Sequence, residues 1–188
     1  MTLLERLRIE TRPAHDRIEK AVDFQRRTSS REAYRNLLCR FYGFHRAWEE
    51  DAAPLAPDRT SFQRRCKSHL LARDLDALGM SPQEIIHLPR CRPLMPLPAP
   101  AAVLGGMYVV EGSTLGGAVI AREVERRLGL TAETGCAYFR SYGRETASMW
   151  KSFGAALLAA SSPETDDLIV ETAARTFDVM HDWLNEAP

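Results

Sequence analysis

Residues 108–120, YVVEGSTLGGAVI, limit the fold more than any other part of the chain. Gly112, Gly116 and Gly117 follow a β-branched pair and precede a run of helical character. Two structures accommodate this. One is a strand, a phosphate-cradling loop and a helix. The other is one long helix stripped of side chains in its middle. The first needs more than glycine. A Walker loop requires G-x-x-x-x-G-K-[ST], whose Lys carries charge to the phosphates, and the dinucleotide fingerprint requires G-x-G-x-x-G. Here the spacing is G-x-x-x-G-G and no Lys follows. Both folds also need further parallel strands, and the rest of the pattern predicts none. A helix over residues 101–128 is therefore expected. Each mid-helix Gly costs it about 1 kcal/mol relative to Ala. Gly112 and Gly116 are four apart and share a face. That face either admits a neighbouring backbone or lies against a flat ligand.

Helical periodicity runs through the remainder. Thr2 and Glu5 form a capping box, and Leu4, Leu7, Thr11, Ala14, His15, Ile18 and Val22 follow at helical spacing, with a kink or restart expected at Pro13. A second helix opens at Ser29–Glu32 and carries Tyr34, Leu37, Leu38, Phe41, Tyr42, His45 and Trp48 on one stripe, closed by Pro54 and Pro57. A third is expected over residues 61–78 with Gly79 as its stop, and Ser81 starts a short fourth. Residues 89–100, PRCRPLMPLPAP, form an irregular connector. A loop is expected over 129–143, a helix over 144–160, and a last helix capped by Ser161–Glu164. The sum is an all-α chain of about seven helices, read as one domain over residues 1–188.

Composition excludes several classes of function. Lys plus Arg and Asp plus Glu are both 25, so the chain has no net charge and no dedicated nucleic-acid partner is expected. No membrane-spanning run and no signal-peptide core is expected. Cys39, Cys66, Cys91 and Cys136 lie far apart without a C-x-x-C, which fits reduced thiols in the cytoplasm.

Of the five histidines, His69 and His87 read as surface residues and His181 as undecided. A di-iron carboxylate bundle would need E-x-x-H on two helices, and only Glu84–His87 supplies it. His15 lies beside Ala14, Ile18 and Val22 on an apolar stripe. Such a residue is either a hydrogen-bonded core histidine or a metal ligand, and a neutral imidazole is a good ligand for iron. LRIETRPAHDRIE around His15, YGFHRAWE around His45 and LGGMYVVEGSTLGGAVI together resemble the bacterial, biliverdin-producing heme oxygenases, in the same order over most of the chain.

The resemblance implies a multi-helical bundle with heme b, both substrate and cofactor, sandwiched between the first helix and a distal helix kinked at glycines. It implies His15 as the axial iron ligand, Gly112, Gly116 and Gly117 over the heme, and Arg8 and Tyr108 at its propionates. His45 corresponds to a distal-side histidine of some members. Ser113 stands where animal enzymes carry an Asp that orders distal water, so proton delivery here needs another anchor. The implied reaction is cleavage of heme to biliverdin, CO and iron, with O2 and an external donor, a ferredoxin or a reductase. Alpha-meso cleavage is the default. Iron release and supply of a bilin to a phytochrome are both compatible purposes. Two other readings remain open: a heme carrier or sensor on the same fold, and a cofactor-independent enzyme of the wider fold.

Overall fold

The computed structural model describes residues 1–186, and among these there are helices and no strand. The helices are α1 (Leu3–Glu10), α2 (Arg12–Val22), α3 (Phe24–Arg27), α4 (Arg31–Ala52), α5 (Arg59–Arg65), α6 (Ser68–Ala77), α7 (Pro82–Ile86), α8 (Pro100–Leu128), α9 (Ala137–Arg140), α10 (Thr146–Ala159) and α11 (Asp166–Asn185). Several ends follow local chemistry. The Thr2/Glu5 capping box opens α1, and a second box, Ser81/Glu84, opens α7. Pro13 falls in the first turn of α2, where its missing N–H is harmless, so the chain restarts after Thr11. Gly79 adopts φ +89° just beyond α6, and Gly129 adopts φ +67° to end α8.

Three expectations need correction. The helix expected over 61–78 is two, α5 and α6. Glu49 of α4 causes the division. Its carboxylate accepts from the backbone N–H of Lys67 at 2.5 Å and of Ser68 at 3.0 Å, capping α6 from a different helix. The loop over 129–143 contains α9, which buries Tyr138 and Phe139. The last helix starts after Thr165, with Ser161 and Ser162 bonded to Asp166 and Thr165 ahead of it.

α8 runs unbroken through all its glycines. An 18-residue window in it reaches a mean hydropathy of 1.4, enough by length and composition to cross a membrane. It is instead a core helix, packed on α11, α9 and α10. Close approach accounts for three of its glycines. A Cβ on Gly105 would strike the Ile169 carbonyl of α11; on Gly106 it would lie 2.6 Å from the Trp48 indole, and on Gly117 2.7 Å from the Phe139 carbonyl of α9. Gly112 and Gly116 meet no backbone at all. Both explanations of the glycine stretch therefore hold, at different residues. α2 and α8 each pack on α11 with little contact between them, and a cavity opens in the gap.

Candidate functional site

The cavity holds about 540 Å³, within the range of small-molecule and cofactor sites. α2 lends His15, Ile18 and Val22; α8 lends Tyr108, Val109, Gly112, Ser113, Leu115, Gly116 and Ile120. Phe41, Trp150, Phe177 and Met180 fill in from α4, α10 and α11. Arg8, Arg12, Asp16 and Glu19 supply charge. A slot with apolar walls and a few charged groups fits a flat apolar ligand with carboxylates on its edge.

His15 stands at the cavity with its side chain 47% exposed. Its position on the apolar stripe is thus not a core position; the exposure is to the cavity. Its Nδ1 lies 3.9 Å from Asp16 and its Nε2 3.7 Å from Glu19, both beyond hydrogen-bond length. Phe177 stands edge-on to the ring at 5.8 Å. The imidazole therefore has a free nitrogen to offer. Among the described residues, His15, Asp16 and Glu19 are the group close enough to hold a metal ion together.

Gly112 and Gly116 form part of the α8 wall. A Cβ on Gly116 would meet nothing within 4 Å, and one on Gly112 only the Trp150 ring at 3.8 Å. Close helix packing therefore does not explain these two residues. Gly117 is buried, does not line the cavity and faces α9. The expectation that it contacts the ligand is corrected: its missing side chain makes room for the Phe139 carbonyl.

Arg8 is exposed at the end of α1 and lines the cavity. Tyr108 is half-buried, with its ring 5.7 Å from that of Trp150. Burial raises the Tyr108 phenol above its ordinary value, while the Thr11 hydroxyl and the Arg8 charge work against the rise. These two residues, called from sequence, do come together with His15 around one cavity.

His45 differs from the expectation. It is fully buried behind the wall and does not line the cavity. Its Nε2 pairs with the Tyr138 hydroxyl at 2.9 Å, and its Nδ1 has no partner. Burial, with Lys67 nearby, pushes the imidazole down to about 3, so it is neutral at physiological pH. Burial raises the Tyr138 phenol, with the nearby Ser113 hydroxyl working against the rise, and Ser113 donates to the Val110 carbonyl at 2.8 Å. Ser113 lines the cavity, with Tyr138 and then His45 behind it. Tyr138 lies in α9, within the stretch that the sequence read only as a loop. Asp74 of α6 shapes that loop by accepting from the N–H groups of Ala137 and Tyr138 at 2.7 and 2.8 Å.

No curated protein matches the chain. Several solved structures share its fold, among them three heme oxygenases. The NO- and CO-bound heme oxygenase of Neisseria meningitidis matches at 21% identity and TM-score 0.77, covering 100% of this chain and 94% of that one. Heme oxygenase of Leptospira interrogans matches at 17% and 0.80, covering 100% of both. Heme oxygenase 2 of Chlamydomonas reinhardtii, solved without heme, matches at 19% and 0.76, covering 100% of this chain and 98% of that one. The family model described as heme oxygenase matches residues 1–186. An all-α bundle with a free imidazole facing a side-chain-less helix across one cavity, matched by that model over nearly its full length, belongs to the heme oxygenase family, the oxidoreductases that degrade heme with O2.

Proposed function

We propose that this chain, acting as a single domain over residues 1–188, cleaves heme b to biliverdin, CO and iron, with His15 as the residue that would hold the iron and electrons from a ferredoxin or a reductase. The observation that carries the assignment is the pairing of walls: an imidazole without a hydrogen bond on α2, and Gly112 and Gly116 with free space before them on α8. When bound, heme supplies both the iron that takes up O2 and the carbon that is oxidised. The protein supplies position and protons. His15 would hold the iron through an imidazole nitrogen that has no hydrogen bond within the protein. The apolar side chains of α4, α10 and α11 exclude water from the faces of the ring. Arg8, whose guanidinium suits a carboxylate, and Tyr108 hold the propionate edge and so fix the in-plane rotation. Gly112 and Gly116 would let the α8 backbone stand close to a ring bound in the cavity.

Ser113 occupies the α8 wall without a carboxylate of its own. We assign proton positioning there to Ser113, Tyr138 and His45 acting in series. Neutral His45 holds the Tyr138 hydroxyl at 2.9 Å, and Ser113, near Tyr138, lines the cavity. His45 thus acts through Tyr138 and not on the ligand. The free cysteines agree with a reducing compartment, and we place the protein in the cytoplasm. The bilin product has the chemistry of a phytochrome chromophore, which makes such a protein a partner to test.

The deciding experiment adds hemin to the purified protein, then ascorbate or a ferredoxin system, and follows the visible spectrum. The proposal expects a Soret band of histidine-ligated heme that bleaches as bilin absorbance grows. A Soret band that persists under reductant and O2 identifies a carrier or sensor. No Soret band at all identifies a cofactor-independent enzyme.

A further inference from the structure

α8 carries one buried ionisable side chain that does not line the cavity. Glu111 immediately precedes Gly112 and is 1% exposed. Arg65, at the end of α5, donates from Nη1 to its carboxylate. Lys67, at the corner between α5 and α6, donates from Nζ at 3.2 Å, and the Tyr142 hydroxyl, ahead of α10, donates at 2.7 Å. The partners also bind one another: Lys67 Nζ lies 2.5 Å from the Tyr142 hydroxyl, and Arg65 Nη1 reaches the Met149 carbonyl at 3.2 Å. Arg65 and Lys67 are themselves buried. The gap beside the cluster, between Trp48, Phe62 and Met107, has no room for a water molecule.

Buried ions lose their hydration, so such a cluster is a weak source of net stability; its distinctive property is directional geometry. Here that geometry falls where packing is absent. On its cavity face α8 has no side chain at Gly112 or Gly116, and only the Trp150 ring lies near the first. At these two residues apolar contact does not fix the helix. Three donors from two stretches of chain, Arg65–Lys67 and Tyr142, converge instead on the residue next to Gly112, from outside the cavity.

We propose that the Arg65–Lys67–Tyr142 cradle around Glu111 holds α8 in place at Gly112 and so sets the position of the glycine wall of the cavity. Glu111 is a positioning residue and touches nothing in the cavity. The test is Glu111→Gln, which leaves two buried cations with a neutral partner. Hydrogen–deuterium exchange of the ligand-free protein is the first measurement. Exchange is expected to rise in peptides spanning 107–118 and to stay at parent levels in α4 and at the centre of α11. The C–O stretching band of the ferrous CO complex is the second. It is expected to shift or broaden, because CO senses the distance and polarity of the facing wall. If Glu111→Gln does not fold, Tyr142→Phe removes one donor without unpairing a charge and should act in the same direction to a lesser degree. Exchange raised equally in every helix, or in none, overturns the proposal. So does a CO band with the position and width of the parent. The spectroscopic measurement rests on the heme reading of the cavity; the exchange measurement does not. A parent protein that takes up no heme would therefore refute that reading and leave the exchange result to decide this one.

Discussion

At the scale of single residues, the site separates groups that touch the ligand from groups that act through a neighbour. Arg8 is of the first kind. Arg8→Glu puts a carboxylate beside the propionate edge, and hemin titration should show weaker binding than the parent, with the deficit shrinking at high salt as the repulsion is screened. Equal affinity at low salt would make Arg8 a plain surface charge. Tyr138 is of the second kind. Tyr138→Phe removes the hydroxyl between His45 and Ser113, at a cost of about 1–3 kcal/mol for the buried imidazole left unpaired. Hemin affinity and the Soret position should be unchanged, while single-turnover bilin formation slows. Bilin formation at the parent rate would remove the series from the mechanism. His15 was legible in sequence because its residue type conflicts with an apolar stripe. Tyr138 was not, because its partner His45 is 93 residues away and no local pattern links them.

At the scale of elements, α8 divides its glycines by direction, and substitution can separate the two sets. Gly117→Ala drives a methyl into the Phe139 carbonyl, so overpacking should lower apo stability by about 1–3 kcal/mol. Gly116→Leu meets open space. It should leave the apo melting temperature near the parent value, retain the His15-ligated spectrum and lose bilin yield. A destabilised Gly116→Leu protein with full bilin yield would mean that Gly116 serves packing. The glycine spacing predicted that a helix face mattered, and helical periodicity located most of the longer helices. Neither could tell which glycine met a backbone, because that depends on where α9 and α11 pass. The division of α5 from α6 was hidden for the same reason. Its cause, Glu49, sits in α4, and only the folded arrangement brings that carboxylate to the N–H groups of Lys67 and Ser68.

At the scale of the whole molecule, two buried titratable groups give the fold opposite dependences on acid. His45 is pushed from 6.5 to about 3. As pH falls through 6.5 the unfolded chain takes up a proton that the folded chain refuses, so stability is lost, at up to about 1.4 kcal/mol per pH unit, until about pH 3. Asp74, raised by burial from 3.8 to about 6, binds its proton more tightly when folded and offsets part of that loss between those two values. His45→Gln should therefore lose less stability than the parent between pH 7 and 5 in urea denaturation of the apo protein; parallel losses would contradict a buried neutral His45. The same packing that buries these groups also holds α2 and α8 apart on α11, and the account depends most on what fills the space between them. The direct measurement is the ferric absorption spectrum of hemin-loaded His15→Ala, before and after added imidazole. The account predicts that the variant still takes up hemin through apolar contact, loses the histidine-ligated spectrum of the parent and regains much of it with imidazole. A His15→Ala protein whose ferric spectrum equals that of the parent would contradict it.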